Sequence, residues 1–158
     1  MKAKGTFGSH DSHGFTRRRA LGALAAGATV LLVRPLAATP EALQTALRET
    51  FGDRAILPGK VTLELPKLAE SGNVVPVTIS VDSPMTERDH VKSIHLFAER
   101  NHLPRIFEAR LGPSNGRARV ASRIRLVTSQ RVVAAAVMSD ESVWSAAFDI
   151  EVTVSSCG

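Results

Sequence analysis

From Lys60 onward, apolar and polar positions alternate with a period of two, in short runs separated by turn-forming residues. Val61-Thr62-Leu63-Glu64-Leu65 alternates cleanly, and Val75, Val77, Ile79 and Val81 alternate with Pro76, Thr78 and Ser80. Pro76 cannot donate to a ladder, so its strand is expected to lie at a sheet edge or to begin there. Residues 91–99 put Ile94, Leu96 and Ala98 on one face and leave His95 on the other, expected to point outward. Further strands are expected over residues 106–111, 118–126, 131–138 and 143–154. The breaks carry turn chemistry: Asp82-Ser83-Pro84, Asn101-His102-Leu103-Pro104, Gly112-Pro113-Ser114-Asn115-Gly116 and Ser139-Asp140-Glu141.

After the first 38 positions, only residues 40–51 have helical spacing. Thr39 offers a capping hydroxyl, Pro40 suits the first helical position, Glu41 is an acid in the first turn, and Leu43, Ala46, Leu47 and Thr50 share one face before Gly52 closes the helix. Strands that follow one another with no helix between them lack the crossovers of a parallel sheet. The fold class expected is therefore all-β: an immunoglobulin-like antiparallel β-sandwich with a short N-terminal helix. Ala134-Ala135-Ala136-Val137-Met138 and Val143-Trp144-Ser145-Ala146-Ala147-Phe148 are apolar on both faces, so at least one of these strands is expected to be covered twice, either as a central strand or by a second chain in a heterodimer. Trp144 is read as a core anchor.

Charge changes the picture mainly at the N-terminus. The formal net charge is +5, but six of the 20 basic residues lie in the first 38 positions with a single acid, Asp11, which leaves 14 basic and 14 acidic residues from Thr39 onward. A domain without surplus cation does not suit nucleic acid, and the local cluster of Arg117, Arg119, Arg123, Arg125 and Arg131 is read as a solvated strand face. The basic leader runs into Arg17 and Arg18, then into a weakly apolar stretch over residues 21–33. That stretch is shorter than the roughly 20 residues of a membrane span, so no membrane anchor is expected. Paired arginines before a mild apolar segment have the form of a twin-arginine signal, with cleavage near Leu36-Ala37-Ala38 and a periplasmic mature protein. The domains expected are residues 1–38 as signal peptide, 39–154 as helix plus sandwich, and 155–158 as a C-terminal arm.

The chain has no Gly-rich phosphate loop and no Cys-x-x-Cys. His90, His95 and His102 fit no metal-ligand spacing, and Asp149 and Glu151 read as solvent-facing acids on the last strand. No cofactor or metal is expected. The remaining reactive group is Cys157, the only cysteine. In an exported protein a single thiol is a buried inert group, a partner in an intermolecular disulfide, or a working nucleophile. Its setting in Ser155-Ser156-Cys157-Gly158, small and polar, argues against burial. A thiol enzyme would need a base or cation fixed beside the sulfur, which such a tail does not supply. A covalent carrier needs only a thiol on a tether. The four residues after Val154 reach at most roughly 14 Å.

Several stretches together resemble the SoxY family of sulfur carriers. They are Val61-Thr62-Leu63-Glu64-Leu65-Pro66, Ala69-Glu70-Ser71-Gly72-Asn73-Val74-Val75-Pro76-Val77, Ser83-Pro84-Met85, His90-Val91-Lys92-Ser93-Ile94-His95-Leu96 and Ser122-Arg123-Ile124-Arg125-Leu126, with the terminal Cys157 and the twin-arginine leader. The resemblance implies an immunoglobulin-like domain exported folded, paired with a SoxZ subunit, that carries sulfur intermediates of thiosulfate oxidation on Cys157 and is no enzyme itself. It implies as further partners a haem-containing thiosulfate-coupling enzyme, a sulfate-releasing hydrolase and a sulfane dehydrogenase. The family's Gly-Gly-Cys-Gly-Gly tail is here Ser155-Ser156-Cys157-Gly158, which keeps the residues small but makes left-handed backbone conformations costly. The other reading of the residues is an exported interaction module whose Cys157 only forms an intermolecular disulfide.

Overall fold

The computed structural model describes residues 41–154; the signal-peptide reading of residues 1–38 lies outside the described residues. The chain opens with α1 (Glu41–Phe51). It continues through β1 (Ile56–Pro58), β2 (Val61–Glu64), β3 (Leu68–Ser71), β4 (Val75–Val81), β5 (Val91–Ala98), β6 (Arg105–Arg110), β7 (Arg119–Ile124), β8 (Gln130–Met138) and β9 (Val143–Val154). The strands form two sheets, a larger one in the order β1-β9-β8-β5-β6 with β3 also on β9, and a smaller one in the order β2-β4-β7. This is the expected all-β sandwich with one short helix.

Period-two patterning explains how the sheets close on each other. Val75, Val77, Ile79 and Val81 of β4 face Ile94, Leu96 and Ala98 of β5, Val132, Ala134, Ala136 and Met138 of β8, and Ile150 and Val152 of β9 in one buried cluster. The odd-numbered residues of β8 turn the other way. Val133, Ala135 and Val137 join Phe97 and Val143 under Leu43 and Phe51 of α1. The run of small apolar residues on β8 is thus buried twice within a single chain: one face fills the sandwich and the helix covers the other. A second chain is not needed to account for it. Gly52 ends α1 in the left-handed region (φ 64°), and its N–H donates to the Arg48 carbonyl at 2.7 Å.

Two expectations are corrected. The sandwich is not wholly antiparallel, because β1 and β3 both pair with β9 in parallel, Ile56 opposite Val143 and Ala69 opposite Val152. Neither strand was foreseen. Each returns to the same partner after the chain has crossed to or from the smaller sheet, so sheet switching supplies the crossover that a helix supplies elsewhere. His95, expected outward, is only 6 % exposed. Its face of β5 is the one that α1 covers: the Phe51 ring meets the imidazole edge-on at 5.2 Å, and Phe97 stacks on it at 6.4 Å. Trp144 sits half-buried at the margin of the core, its indole N–H donating to Ser142 Oγ at 3.0 Å and Lys60 Nζ lying 5.1 Å from the ring centroid.

Candidate functional site

Cys157 and its neighbours Ser155, Ser156 and Gly158 lie outside the described residues, as do Arg17 and Arg18. The structure does describe β9, which ends three residues before Cys157 in the sequence. β9 is bonded along both edges, to β8 over Gln130–Ile150 through Val137–Val143 pairing on one side and to β1 and β3 on the other. Its last turns of chain are held by side-on contacts as well. The Glu151 N–H donates to the Lys67 carbonyl at 2.9 Å, the Val152 N–H to Ser129 Oγ at 2.8 Å, and the Val154 carbonyl accepts from the Gly72 N–H at 3.2 Å. Main-chain pairing therefore continues to within three residues of Cys157.

Gly72 clasps the end of β9. Its N–H holds Val154 while its carbonyl accepts from the Leu126 N–H at 2.8 Å, which ties the end of β9 to the loop before β8. A Cβ at this position would stand 2.0 Å from the Leu126 carbonyl oxygen and 3.2 Å from Val152 Cγ1. The close approach of two backbones, rather than a positive φ, is what requires glycine here. Around the same end, three large apolar side chains are exposed: Leu68 (56 %), Val74 (62 %) and Val154 (60 %). They lie on β3, on the turn after it and at the end of β9, the elements that meet at the clasp.

The histidines do not assemble. His90 is half-buried with Nδ1 3.1 Å from the Thr86 carbonyl, and His102 is exposed in a turn. His95 Nε2 lies 2.9 Å from Ser93 Oγ, while its Nδ1 is buried without a partner. Burial pushes its pKa below the ordinary histidine value; Glu108 opposes the shift, and Arg105, Arg54 and Arg110 add to it. The imidazole is a neutral member of the helix-covered core. A signal for this was available, since Phe97 stands two residues along the same strand face. Among the described residues, no group of three or more His, Cys, Asp or Glu is placed to hold a metal ion. Asp149 is exposed and accepts from the Arg131 guanidinium at 2.9 and 3.1 Å, which holds its carboxyl below the usual range; Glu151 is exposed too. The acids of β9 are surface groups, as expected. No helix among the described residues is long and apolar enough to cross a membrane.

Two sheets packed face to face, with β9 paired on both sides and one short helix, define a small all-β sandwich protein. Comparison gives the family. The model of the sulfur oxidation protein SoxY matches residues 47–157, more than half of the chain and through Cys157 itself. The chain belongs to the SoxY family.

Among solved structures, the sulfur carrier protein SoxY from Chlorobium limicola f thiosulfatophilum is similar with a TM-score of 0.60 and 23% identity, over 71% of this chain and 96% of that one. The superoxide reductase (neelaredoxin) from Ignicoccus hospitalis is similar with a TM-score of 0.54 and 18% identity, over 60% of this chain and 80% of that one. A superoxide reductase from Nanoarchaeum equitans gives a TM-score of 0.52 and 13% identity, over 61% and 100% of the two chains. At these identities the likeness is one of fold. No curated protein sequence matches the chain.

Proposed function

We propose that this protein is a covalent sulfur carrier of thiosulfate oxidation, exported to the periplasm on the twin-arginine signal at Arg17 and Arg18, and that it holds its cargo on Cys157. Membership of the SoxY family, by a match that extends to residue 157, carries the reading. The base of the arm supports it: a carrier thiol must travel while its domain stays folded, and β9 is paired up to Val154. Ser155 and Ser156 then form the tether to Cys157, and Gly158 completes the arm beyond it.

In this reading the Cys157 thiol releases its proton to water, and it and thiosulfate give two electrons to a haem-containing partner as the sulfur–sulfur bond forms. Water, delivered by a hydrolase, releases sulfate and leaves the sulfane sulfur on Cys157, and a sulfane dehydrogenase oxidises it further. The carrier binds a SoxZ-like subunit and serves these enzymes as their substrate.

Intact-protein mass spectrometry after incubation with thiosulfate and the haem-containing partner tests the proposal. A thiosulfonate addition located on Cys157 and absent from Cys157→Ser is the expected result. An unmodified Cys157 throughout would overturn it, and a Cys157-dependent disulfide dimer with no substrate-dependent addition would favour the interaction module instead.

A further inference from the structure

β7 ends the smaller sheet, and its outer edge has no strand beside it among the described residues. The direction of its main-chain groups follows from two hydrogen bonds. Val81 N–H donates to the Ala118 carbonyl at 2.9 Å, and Asp82 N–H donates to the Lys60 carbonyl at 2.8 Å. Odd residues of β4 therefore turn to β7, and even ones to β2. By the register, Val120, Ser122 and Ile124 of β7 turn to β4, and the N–H and C=O groups of Arg119, Ala121 and Arg123 turn outward.

The other edges are less suited to accept a strand. β1 has three residues and ends in Pro58, β2 and β3 have four each, and β6 is interrupted by a register shift opposite Leu96 and Phe97. β7 keeps one register from Arg119 to Ile124 and contains no proline. An edge of this kind is a template for pairing.

Charge says what could pair with it. Arg117, Arg119, Arg123 and Arg125 are all exposed, and none of them takes part in the ion pairs among the described residues, which use Arg54, Lys92, Arg110 and Arg131. Opposite Arg119 and Arg123 on β4 stand Ser80 and Pro76, and Glu64 is a further strand away on β2. A second copy of the chain is a poor occupant. Antiparallel pairing of two β7 strands about Ala121 would set Arg119 directly opposite Arg123 twice, and like charges so placed destabilise a sheet.

We propose that the free edge of β7 is a docking site for a partner protein that adds a strand with carboxylates on its outer face. Glu or Asp side chains at alternate positions would meet Arg119 and Arg123, while the residues between them would lie over half-buried Val120. The same arginines repel a second copy and attract an acidic strand, which gives the edge selectivity as well as affinity. The proposal goes beyond the carrier reading and does not depend on Cys157.

The probe is a fluorescein-labelled, acetylated octapeptide that alternates Glu with Val and Thr, compared with the same peptide carrying Lys for Glu, and read by fluorescence anisotropy against the full chain. The Glu peptide should saturate, weaken as salt rises, and bind at least about tenfold more weakly to Arg119→Glu with Arg123→Glu. Ala121→Pro removes one outward N–H and leaves every bond to β4 in place, so it should weaken binding by a similar factor. Amide exchange of Arg119, Ala121 and Arg123 should slow when the peptide is bound. If the proline variant does not fold, the charge reversal and the exchange rates decide. Failure of the Glu peptide to saturate, equal binding of the Lys peptide, unchanged exchange at the three amides, or a homodimer that the charge reversal strengthens would each overturn the proposal.

Discussion

Replacing Gly72 by alanine tests the clasp at the end of β9 most directly. The added Cβ would fall 2.0 Å from the Leu126 carbonyl oxygen and 3.1 Å from its carbonyl carbon, both backbone atoms, and 3.2 Å from Val152 Cγ1. No rotamer relieves a clash with backbone, so the two segments must separate by more than an ångström. That breaks the Gly72 bonds to Leu126 and Val154, at about 1 kcal/mol each. It also loosens fully buried Leu126 and the contact with Val152, for about 1–2 kcal/mol more. The stiffer unfolded chain returns about 0.4–1 kcal/mol. A net loss of roughly 2–3 kcal/mol is expected, a fall in melting temperature of about 8–15 °C for a domain of this size. Urea unfolding gives the free energy, and amide exchange should rise first at Gly72 and Leu126. A loss below about 0.5 kcal/mol with protected amides would refute the clasp.

His95 makes the domain acid-sensitive. Its folded pKa lies below the unfolded value of about 6.5, so the unfolded state binds the proton first, and stability present above that pH is lost as the pH falls through the folded value. The exposed carboxylates Glu108, Asp140, Glu141 and Asp149 are all shifted down and act at lower pH. Urea midpoints measured from pH 7 to pH 5 should therefore decline for the wild type and stay flatter for His95→Leu; parallel curves would remove His95 from the explanation. Phe51→Ala empties the contact between α1 and the larger sheet and should cost about 3–5 kcal/mol, read by urea unfolding. Changing Arg17 and Arg18 together to lysine should leave the precursor in the cytoplasm on cell fractionation, while normal export of the variant would count against the twin-arginine reading.

The sequence by itself determined what depends on local period. Alternation at Val75 to Val81 marks β4 to the residue, and Gly52 marks the end of α1. These follow from side-chain direction and backbone preference, which each segment carries within itself. Tertiary structure decided which element covers which face. His95 and Ser93 alternate with Ile94 and Leu96, so the sequence separates the two faces correctly, yet only the packing of α1 makes the second face an interior. β1 and β3 carry no strand signal because Ile56-Leu57-Pro58 and Leu68-Ala69-Glu70-Ser71 do not alternate apolar with polar, and their strand character comes from pairing with β9 beside them. Gly72 is the sharpest case. Its glycine could have been a turn residue like any other, and the need for it arises from the carbonyl of Leu126, 54 positions further along the chain, which the fold brings against it.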